Sequence, residues 1–141
     1  MSAPQTASAK KAALYMNNPL DRIRIVLSHT SHPGNIGAAA RAMKTMGLSQ
    51  FYLVNPVADA DGVARARSSN ARDVLEGAVV CATLEQALAD LQAGAFDWLT
   101  ITSATTVDVL FAHRVKLPPN TRVAAVGETT AAAEQRAAAI G

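Results

Sequence analysis

The chain has 141 residues, of which 50% are hydrophobic and 4% aromatic, and its formal net charge is +2. This length is enough to bury a core, so we expect one globular domain. The scarcity of aromatic residues excludes a nucleic-acid binder built on an aromatic platform, such as an RNA-recognition fold. The single cysteine, Cys81, lies in the apolar run AVVCA, which excludes an internal disulfide and predicts a buried thiol in a cytoplasmic protein.

The beginning of the chain lacks a long apolar segment. Lys10 and Lys11 are followed only by Ala-Ala-Leu, which is too short for the core of a signal peptide or for a membrane span. We therefore expect residues 1–18 to be a flexible tail, residues 19–141 to form a single α/β domain, and no membrane to be a partner.

Positive charge is concentrated in the first half of the chain. Residues 1–72 contain nine Lys and Arg against three acidic residues, whereas residues 73–141 contain four against eight. The first half is therefore suited to a polyanion such as RNA. A chance unevenness of surface charge is the alternative that the sequence leaves open.

Strand and helix patterns alternate along the chain after residue 22. Strands are predicted at 23–27, 51–54, 78–81, 97–102 and 122–126. Helices are predicted at 35–46, 71–76, 84–91, 105–113 and 128–139, with Thr83 capping the third. The alternation indicates an α/β fold of three αβα layers, Rossmann-like or flavodoxin-like, around a mostly parallel sheet of about five strands.

The strongest chemical signal is the stretch HTSHPGNIGAAARAMKTMG at residues 29–47. Its Pro33-Gly34 pair ends the first strand, so the turn lies at a carboxyl end, where ligands of open α/β sheets collect. Asn35 is expected to be the N-cap of the following helix, and Gly37 allows a ligand to approach the first turn. The free N–H groups there favour an anion such as a phosphate.

Arg41 and Lys44 fall on a different face of this helix from its apolar residues. A cationic face beside a helix N-terminus suits a phosphate or a ribose. An ordinary capped helix with solvated charges remains an equal alternative from the residues alone.

The segment IRIVLSHTSHPGNIGAAARAMKTMGLSQFYLVNP resembles the first motif of the SpoU-type RNA ribose 2′-O-methyltransferases, of the SPOUT superfamily. The resemblance is greatest to the branch that modifies the tRNA anticodon loop. Asn35, Gly37 and Arg41 stand at the N-x-G-x-x-x-R spacing of that family, and a looser likeness through ARSSNARDVLEGAVVCATLEQALAD extends it over residues 21–90. It implies methyl transfer from S-adenosylmethionine to a ribose 2′-hydroxyl of tRNA.

The resemblance also implies roles for individual residues. Arg41 is carried over as catalytic; because a guanidinium stays protonated, it would orient the hydroxyl and a phosphate or stabilise a developing alkoxide. Asn35 is the second catalytic candidate and would position Arg41 or the ribose. The expected RNA-binding residues are Ser28, His29, Gly34, Gly37 and Lys44.

The later segment FDWLTITSATTVDVLFAHRVKLPPNTRVAAVGETTAAAEQRAAAIG, residues 96–141, resembles one lobe of uroporphyrinogen-III synthase. That enzyme's strand-TS-helix and strand-VG-x-T-helix signatures have counterparts here. Hydroxyls and amides at helix N-termini suit the carboxylates of a tetrapyrrole. The residues of this alternative site are Thr102, Ser103, Gly127, Thr129 and Thr130.

Two resemblances predict a chimera of a methyltransferase-like part, residues 19–92, and a synthase-like part, residues 93–141; a truncated natural protein is the second explanation. The first part lacks the family's second and third motifs, a glycine-rich G-R-E-type turn and a Ser-Leu-Asn-type helix entry, which form its knotted cofactor site and dimer contact. We therefore expect a catalytically incomplete methyltransferase-like domain of undetermined oligomeric state. A tetrapyrrole-binding fragment and a non-catalytic scaffold are the alternatives.

A metal is not expected. His29 and His32 have no third ligand near them in the sequence, and they are more typical of turn residues than of a metal site.

Overall fold

The structure is a computed structural model that describes residues 18–30, 32, 34–56, 63, 65–67 and 70–140. A short 3₁₀ helix, Pro19–Arg22, begins the described part. The strands are β1 (Arg24–Ser28), β2 (Gln50–Val54), β3 (Val79–Cys81), β4 (Trp98–Ile101) and β5 (Arg122–Ala125). The helices are α1 (Asn35–Met46), α2 (Arg72–Glu76), α3 (Leu84–Gln92), α4 (Ala104–Ala112) and α5 (Glu128–Ile140).

All the strand pairs within the described residues are parallel, which confirms the predicted α/β class. The strands form one sheet in the order β1-β2-β3 and a second sheet of β4 and β5. The expected single sheet of about five strands is therefore wrong. Apolar periodicity gives the position of each strand along the chain, but it carries no information about which strands pair.

The chain divides into two compact units, residues 1–87 and residues 88–141. The expectation that residues 19–141 unfold as one cooperative domain stays a prediction. The predicted tail lies outside the described residues except for Asn18, whose side chain accepts a hydrogen bond from the Leu20 N–H at 3.1 Å and caps the 3₁₀ helix.

The first unit has a core between α1, α2 and one face of the β1-β2-β3 sheet. Phe51, at 0% exposure, and Leu53 point to this face because alternate residues of a strand share a side. The buried members of the core are Ile36, Ala40, Met43, Leu48, Phe51, Leu53, Ala66, Ala71 and Val74. The apolar residues of the helix predicted at 35–46 thus form the packed side of α1.

Gly47 ends α1 directly after residue 46, the predicted last residue of this helix. Its φ of 77° is left-handed, and its N–H donates to the Lys44 carbonyl at 3.2 Å, while the Leu48 N–H donates to the Met43 carbonyl at 2.8 Å. These bonds satisfy carbonyls that the last turn of a helix otherwise leaves free. The helix therefore stops where the chain must turn into β2.

The entry of α3 is also as predicted. The Gln86 N–H donates to the Thr83 hydroxyl at 3.3 Å, and the Gln86 side-chain oxygen accepts from the Thr83 N–H at 3.3 Å and from the Ala82 N–H at 2.9 Å. This reciprocal capping box fixes the start of the helix.

The second unit has a smaller core around the β4-β5 sheet. Its buried members are Ile101, Val107 and Ala133, against which Leu99 and Val123 are partly buried. On the other face of this sheet Trp98 is 55% exposed, and the Arg122 guanidinium lies 5.6 Å from the centre of its ring. Within the described residues, no helix has both the length and the apolar run needed to cross a membrane.

Candidate functional site

At the turn between β1 and α1, the helix begins without a side-chain cap. Gly34 has a left-handed φ of 87° and occupies the N-cap position, and no side-chain hydrogen bond caps the helix. The predicted Asn35 N-cap is therefore wrong, because Asn35 is already the first helical residue. Pro33 lies outside the described residues. The first helical bond runs from the Ala38 N–H to the Gly34 carbonyl at 2.8 Å.

Arg41 lies on the second turn of α1 and is half-buried. Among the described residues, its guanidinium has no hydrogen-bond or ion-pair partner; only its backbone carbonyl accepts, from the Thr45 hydroxyl at 3.0 Å. Gly37 is buried and lies four residues earlier, on the same side of the helix. The Arg41 guanidinium thus presents five N–H donors from a helix, and no described residue accepts a hydrogen bond from them.

Asn35 is not beside Arg41. Six residues separate the two, which is about 240° around the helix axis and about 9 Å along it. Within the described part of the chain, neither side chain has a hydrogen-bond partner. A role for Asn35 in positioning Arg41 is not supported by this geometry, whereas a contact from Asn35 to a ribose stays a proposal.

Lys44 is engaged within the protein. Its Nζ lies 2.6 Å from Oδ2 of Asp73 on α2, and the Lys44 and Asp73 side chains are 39% and 64% exposed. The hydrogen bond from Lys44 lowers the pKa of Asp73. A phosphate that binds Lys44 must therefore compete with an exposed carboxylate.

Ser28 and His29 form a polar pair at the carboxyl end of β1. Oγ of Ser28 lies 2.8 Å from Nδ1 of His29, and both residues are exposed. The His29 N–H donates to the Val54 carbonyl at 2.9 Å, although its φ of 51° is left-handed. The described residues contain no group of three or more His, Cys, Asp or Glu that could hold a metal ion.

Asn55 is a candidate that reasoning from the sequence missed. It follows β2 directly, is exposed, and has a left-handed φ of 43°, and its N–H donates to the Cys81 carbonyl at 2.9 Å. The signal that could have found it is the Asn55-Pro56 pair at the carboxyl end of a strand, since ligands collect at that edge.

The alternative site lies in the second unit, at the carboxyl ends of β4 and β5. The Ser103 hydroxyl accepts from the Thr106 N–H at 3.2 Å and lies 2.8 Å from the Thr106 hydroxyl, so it caps α4. Gly127, with a φ of 91°, precedes α5. Thr102 and Thr129 are exposed, whereas Thr130 is buried at 4% exposure. The Ser103 and Thr130 hydroxyls are thus already engaged or buried.

The chain matches the model of the SpoU rRNA methylase family over residues 22–131, well over half of its length. It is 64% identical over 69 residues to the tRNA (cytidine/uridine/adenosine-2′-O-)-methyltransferase TrmJ of Pseudomonas aeruginosa, a match that covers 49% of this chain and 27% of that protein. It is 56% identical over 69 residues to TrmJ of Pectobacterium atrosepticum, covering 49% of this chain and 29% of that one. The matched region is therefore less than a third of each relative.

A solved structure is also similar. The crystal structure of a probable methyltransferase from Bordetella pertussis Tohama I has a TM-score of 0.50 and 33% identity, over 80% of this chain and 71% of that chain.

The synthase-like part and the chimera find no support in these comparisons. The family match crosses residues 90–96, where the join was expected, and takes in β4, α4 and β5. The physical reason for the misinterpretation is that a strand followed by a hydroxyl or a glycine and then a helix is a general way to enter a helix in parallel α/β proteins.

Proposed function

The chain belongs to the SpoU rRNA methylase family, and on that premise we propose that it supplies the RNA-binding side of a tRNA ribose 2′-O-methyltransferase site. The family match supports methyl transfer as the reaction class. The TrmJ relatives support tRNA as the substrate, because two of them are 64% and 56% identical to this chain over 69 residues.

The unpartnered Arg41 guanidinium is the observation that carries this proposal. A half-buried arginine usually has an acceptor, and among the described residues this one has none. It lies on α1, whose N-terminal end carries the Ile36 and Gly37 N–H groups without an acceptor in the described part of the chain. A phosphate or a polarised hydroxyl supplies the missing acceptor.

Arg41 then binds and orients the RNA. Its planar fork of donors can hold two oxygens of a phosphate, and its permanent charge stabilises the negative charge that develops on the ribose oxygen beside that phosphate. Gly34 and Gly37 allow the backbone at the start of α1 to approach the phosphate. Ser28, His29 and Asn35 offer polar contacts to the ribose.

The family implies S-adenosylmethionine as the methyl donor, but the described residues do not fit it. Among them, no buried side-chain nitrogen or oxygen lacks a hydrogen-bond partner, so no buried polar side chain is left for the donor to bind. At the turns after β4 and β5, Ser103 is engaged in capping and Thr130 is buried. We therefore propose that this 141-residue chain does not transfer a methyl group by itself.

The proposal is tested by fluorescence anisotropy with labelled bulk tRNA at 50 mM salt. Arg41→Ala should weaken binding about tenfold, as expected for loss of a charged hydrogen bond, and should reduce the slope of log K against log salt by about one. Lys116→Ala is the matched control, because it removes one exposed charge from the second unit. Arg41→Lys should restore only part of the affinity, since an ammonium lacks the planar fork.

If Arg41→Ala and Lys116→Ala lower the tRNA affinity equally, tRNA binds only through the net charge of the chain. An affinity that does not change between 50 and 200 mM salt would likewise contradict the phosphate contact.

A further inference from the structure

We propose that His29 and Asn55 form a 2′-hydroxyl recognition site, which makes the first unit prefer RNA to DNA. The inference deepens the proposed function and rests on it. Arg41 supplies a contact to phosphate that any nucleic acid satisfies, whereas His29 and Asn55 supply a contact that only a ribose satisfies.

The parallel register places these two residues side by side. Ser28 pairs with Val54 at the end of β1 and β2, so the next residues, His29 and Asn55, face each other across neighbouring strands. Neighbouring strands lie about 4.8 Å apart. The ladder continues through both positions, since each N–H donates to the next strand at 2.9 Å. Their backbones are therefore fixed at one edge.

Both residues occupy a backbone conformation that glycine adopts at lower cost. Their φ values are 51° and 43°, and a residue with a side chain is uncommon there, although His and Asn tolerate it better than most. Elsewhere in the described chain, positive φ values belong to four glycines, Gly34, Gly47, Gly94 and Gly127, and to Asn70 and Arg114. A histidine and an asparagine at the ends of neighbouring strands are thus held in a conformation that glycine would adopt with less strain.

The imidazole of His29 is held on one side by Ser28. The 2.8 Å contact between Ser28 Oγ and Nδ1 engages one ring nitrogen. Nε2 is left without a partner among the described residues, and the side-chain amide of Asn55 is likewise free there. Both residues are exposed.

A ribose 2′-hydroxyl fits this pair because it both donates and accepts. When Nδ1 donates to Ser28, Nε2 accepts a hydrogen bond from the 2′-hydroxyl, and the Asn55 amide nitrogen donates to the hydroxyl oxygen. When Nδ1 accepts from Ser28, Nε2 donates, and the Asn55 carbonyl accepts. The arrangement therefore works in either tautomer of His29.

The test compares three labelled 12-nucleotide pools of random sequence by anisotropy at 50 mM salt: RNA, 2′-fluoro RNA and DNA. The 2′-fluoro pool keeps the sugar pucker of RNA but has no hydroxyl. Wild type should bind RNA about tenfold more tightly than either of the other pools, as two hydrogen bonds would give. His29→Gly and Asn55→Gly should each reduce this preference to about threefold, and the double variant should abolish it.

Stability separates recognition from a structural role. Glycine relieves the positive φ, so both variants should keep or raise the urea midpoint while they lose the preference for RNA. Asn70→Gly is the matched control, because Asn70 is an exposed asparagine of the same unit with a φ of 71°; its preference should equal that of wild type.

Two results would overturn the inference: a wild type that binds RNA and 2′-fluoro RNA equally, or glycine variants that keep the full preference. If binding of all three pools still depends on Arg41, the proposed function stands while the hydroxyl site fails. If no pool shows binding that depends on Arg41, the proposed function fails and the hydroxyl site falls with it.

Discussion

The two units differ in how the helix that follows the first strand of each begins. In the first unit α1 begins with Gly34 and no side-chain cap, and Arg41 has no partner among the described residues. In the second unit the Ser103 hydroxyl already caps α4. Both edges look alike in sequence, as a strand, a turn and a helix. The same pattern thus leaves the first helix without a side-chain cap in one unit and uses a serine hydroxyl as the cap in the other.

The units also differ in the size of their buried cores. Among the described residues, nine buried side chains form the core of the first unit and three form that of the second, although both sheets leave large side chains exposed, Val79 and Val80 at 43% and 66% and Trp98 at 55%. A two-stranded sheet is marginal by itself, so the second unit has less buried apolar surface to stabilise it.

The largest expected effect comes from the core of the first unit. Phe51→Ala should lower the free energy of unfolding by about 3–5 kcal/mol, because it removes a fully buried ring. Urea unfolding is followed by Trp98 fluorescence, which reports on the second unit, and by far-ultraviolet circular dichroism. If residues 19–141 are one cooperative domain, both probes shift together. A Trp98 transition that stays at its wild-type midpoint would show that the units unfold independently.

Smaller losses of stability are expected at the two glycines that precede α1 and α5. Gly34→Ala and Gly127→Ala should each cost about 1–2 kcal/mol, since each holds a left-handed φ while an added Cβ meets nothing within 4 Å. The matched substitutions compare the units directly, with the urea midpoint as the measure. If either alanine substitution leaves the urea midpoint unchanged, the turn at that position adjusts to alanine without strain.

The β1-turn-α1 segment was predictable because its determinants are local. Helix α1 has the predicted limits, Asn35–Met46, since Gly34 and Gly47 flank it. The Asn35 N-cap failed because Gly34 took the left-handed position one residue earlier. Sequence patterns predict where a chain turns, but they predict less well which residue of the turn adopts the left-handed backbone conformation.

Contacts between distant residues were not predictable in the same way. Asp73 follows Lys44 by 29 residues, and their ion pair depends on how α2 packs on α1. Likewise His29 and Asn55 become neighbours only through the register of β1 and β2. The division of the strands into two sheets has the same origin, because pairing is decided by packing between segments.

The smallest expected effect concerns the ion pair of Lys44. Asp73→Asn should raise tRNA affinity about twofold at neutral pH, because it frees Lys44 for phosphate and the exposed pair is weak. Lys44 lowers the pKa of Asp73 in the folded state, so the pair stabilises the fold above the unfolded-state pKa and loses this effect as pH falls through the folded-state pKa.

Urea midpoints of wild type and Asp73→Asn should therefore differ slightly at neutral pH and converge in acid. Glu76→Gln is the control, because it breaks an exposed pair with Arg72 on α2 without touching Lys44. A tRNA affinity raised equally by both substitutions would attribute the effect to net charge.

The central claim is that this chain carries the RNA-binding side of a family methyltransferase site without the donor side. Productive transfer requires the methyl group to be held in line with the hydroxyl, and such positioning supplies several orders of magnitude in rate. The most direct measurement incubates the 141-residue chain with radiolabelled S-adenosylmethionine and bulk tRNA, with Arg41→Ala in parallel. We predict tRNA binding that depends on Arg41 and no label in the RNA from either protein. Label transferred by wild type and not by Arg41→Ala would contradict the claim.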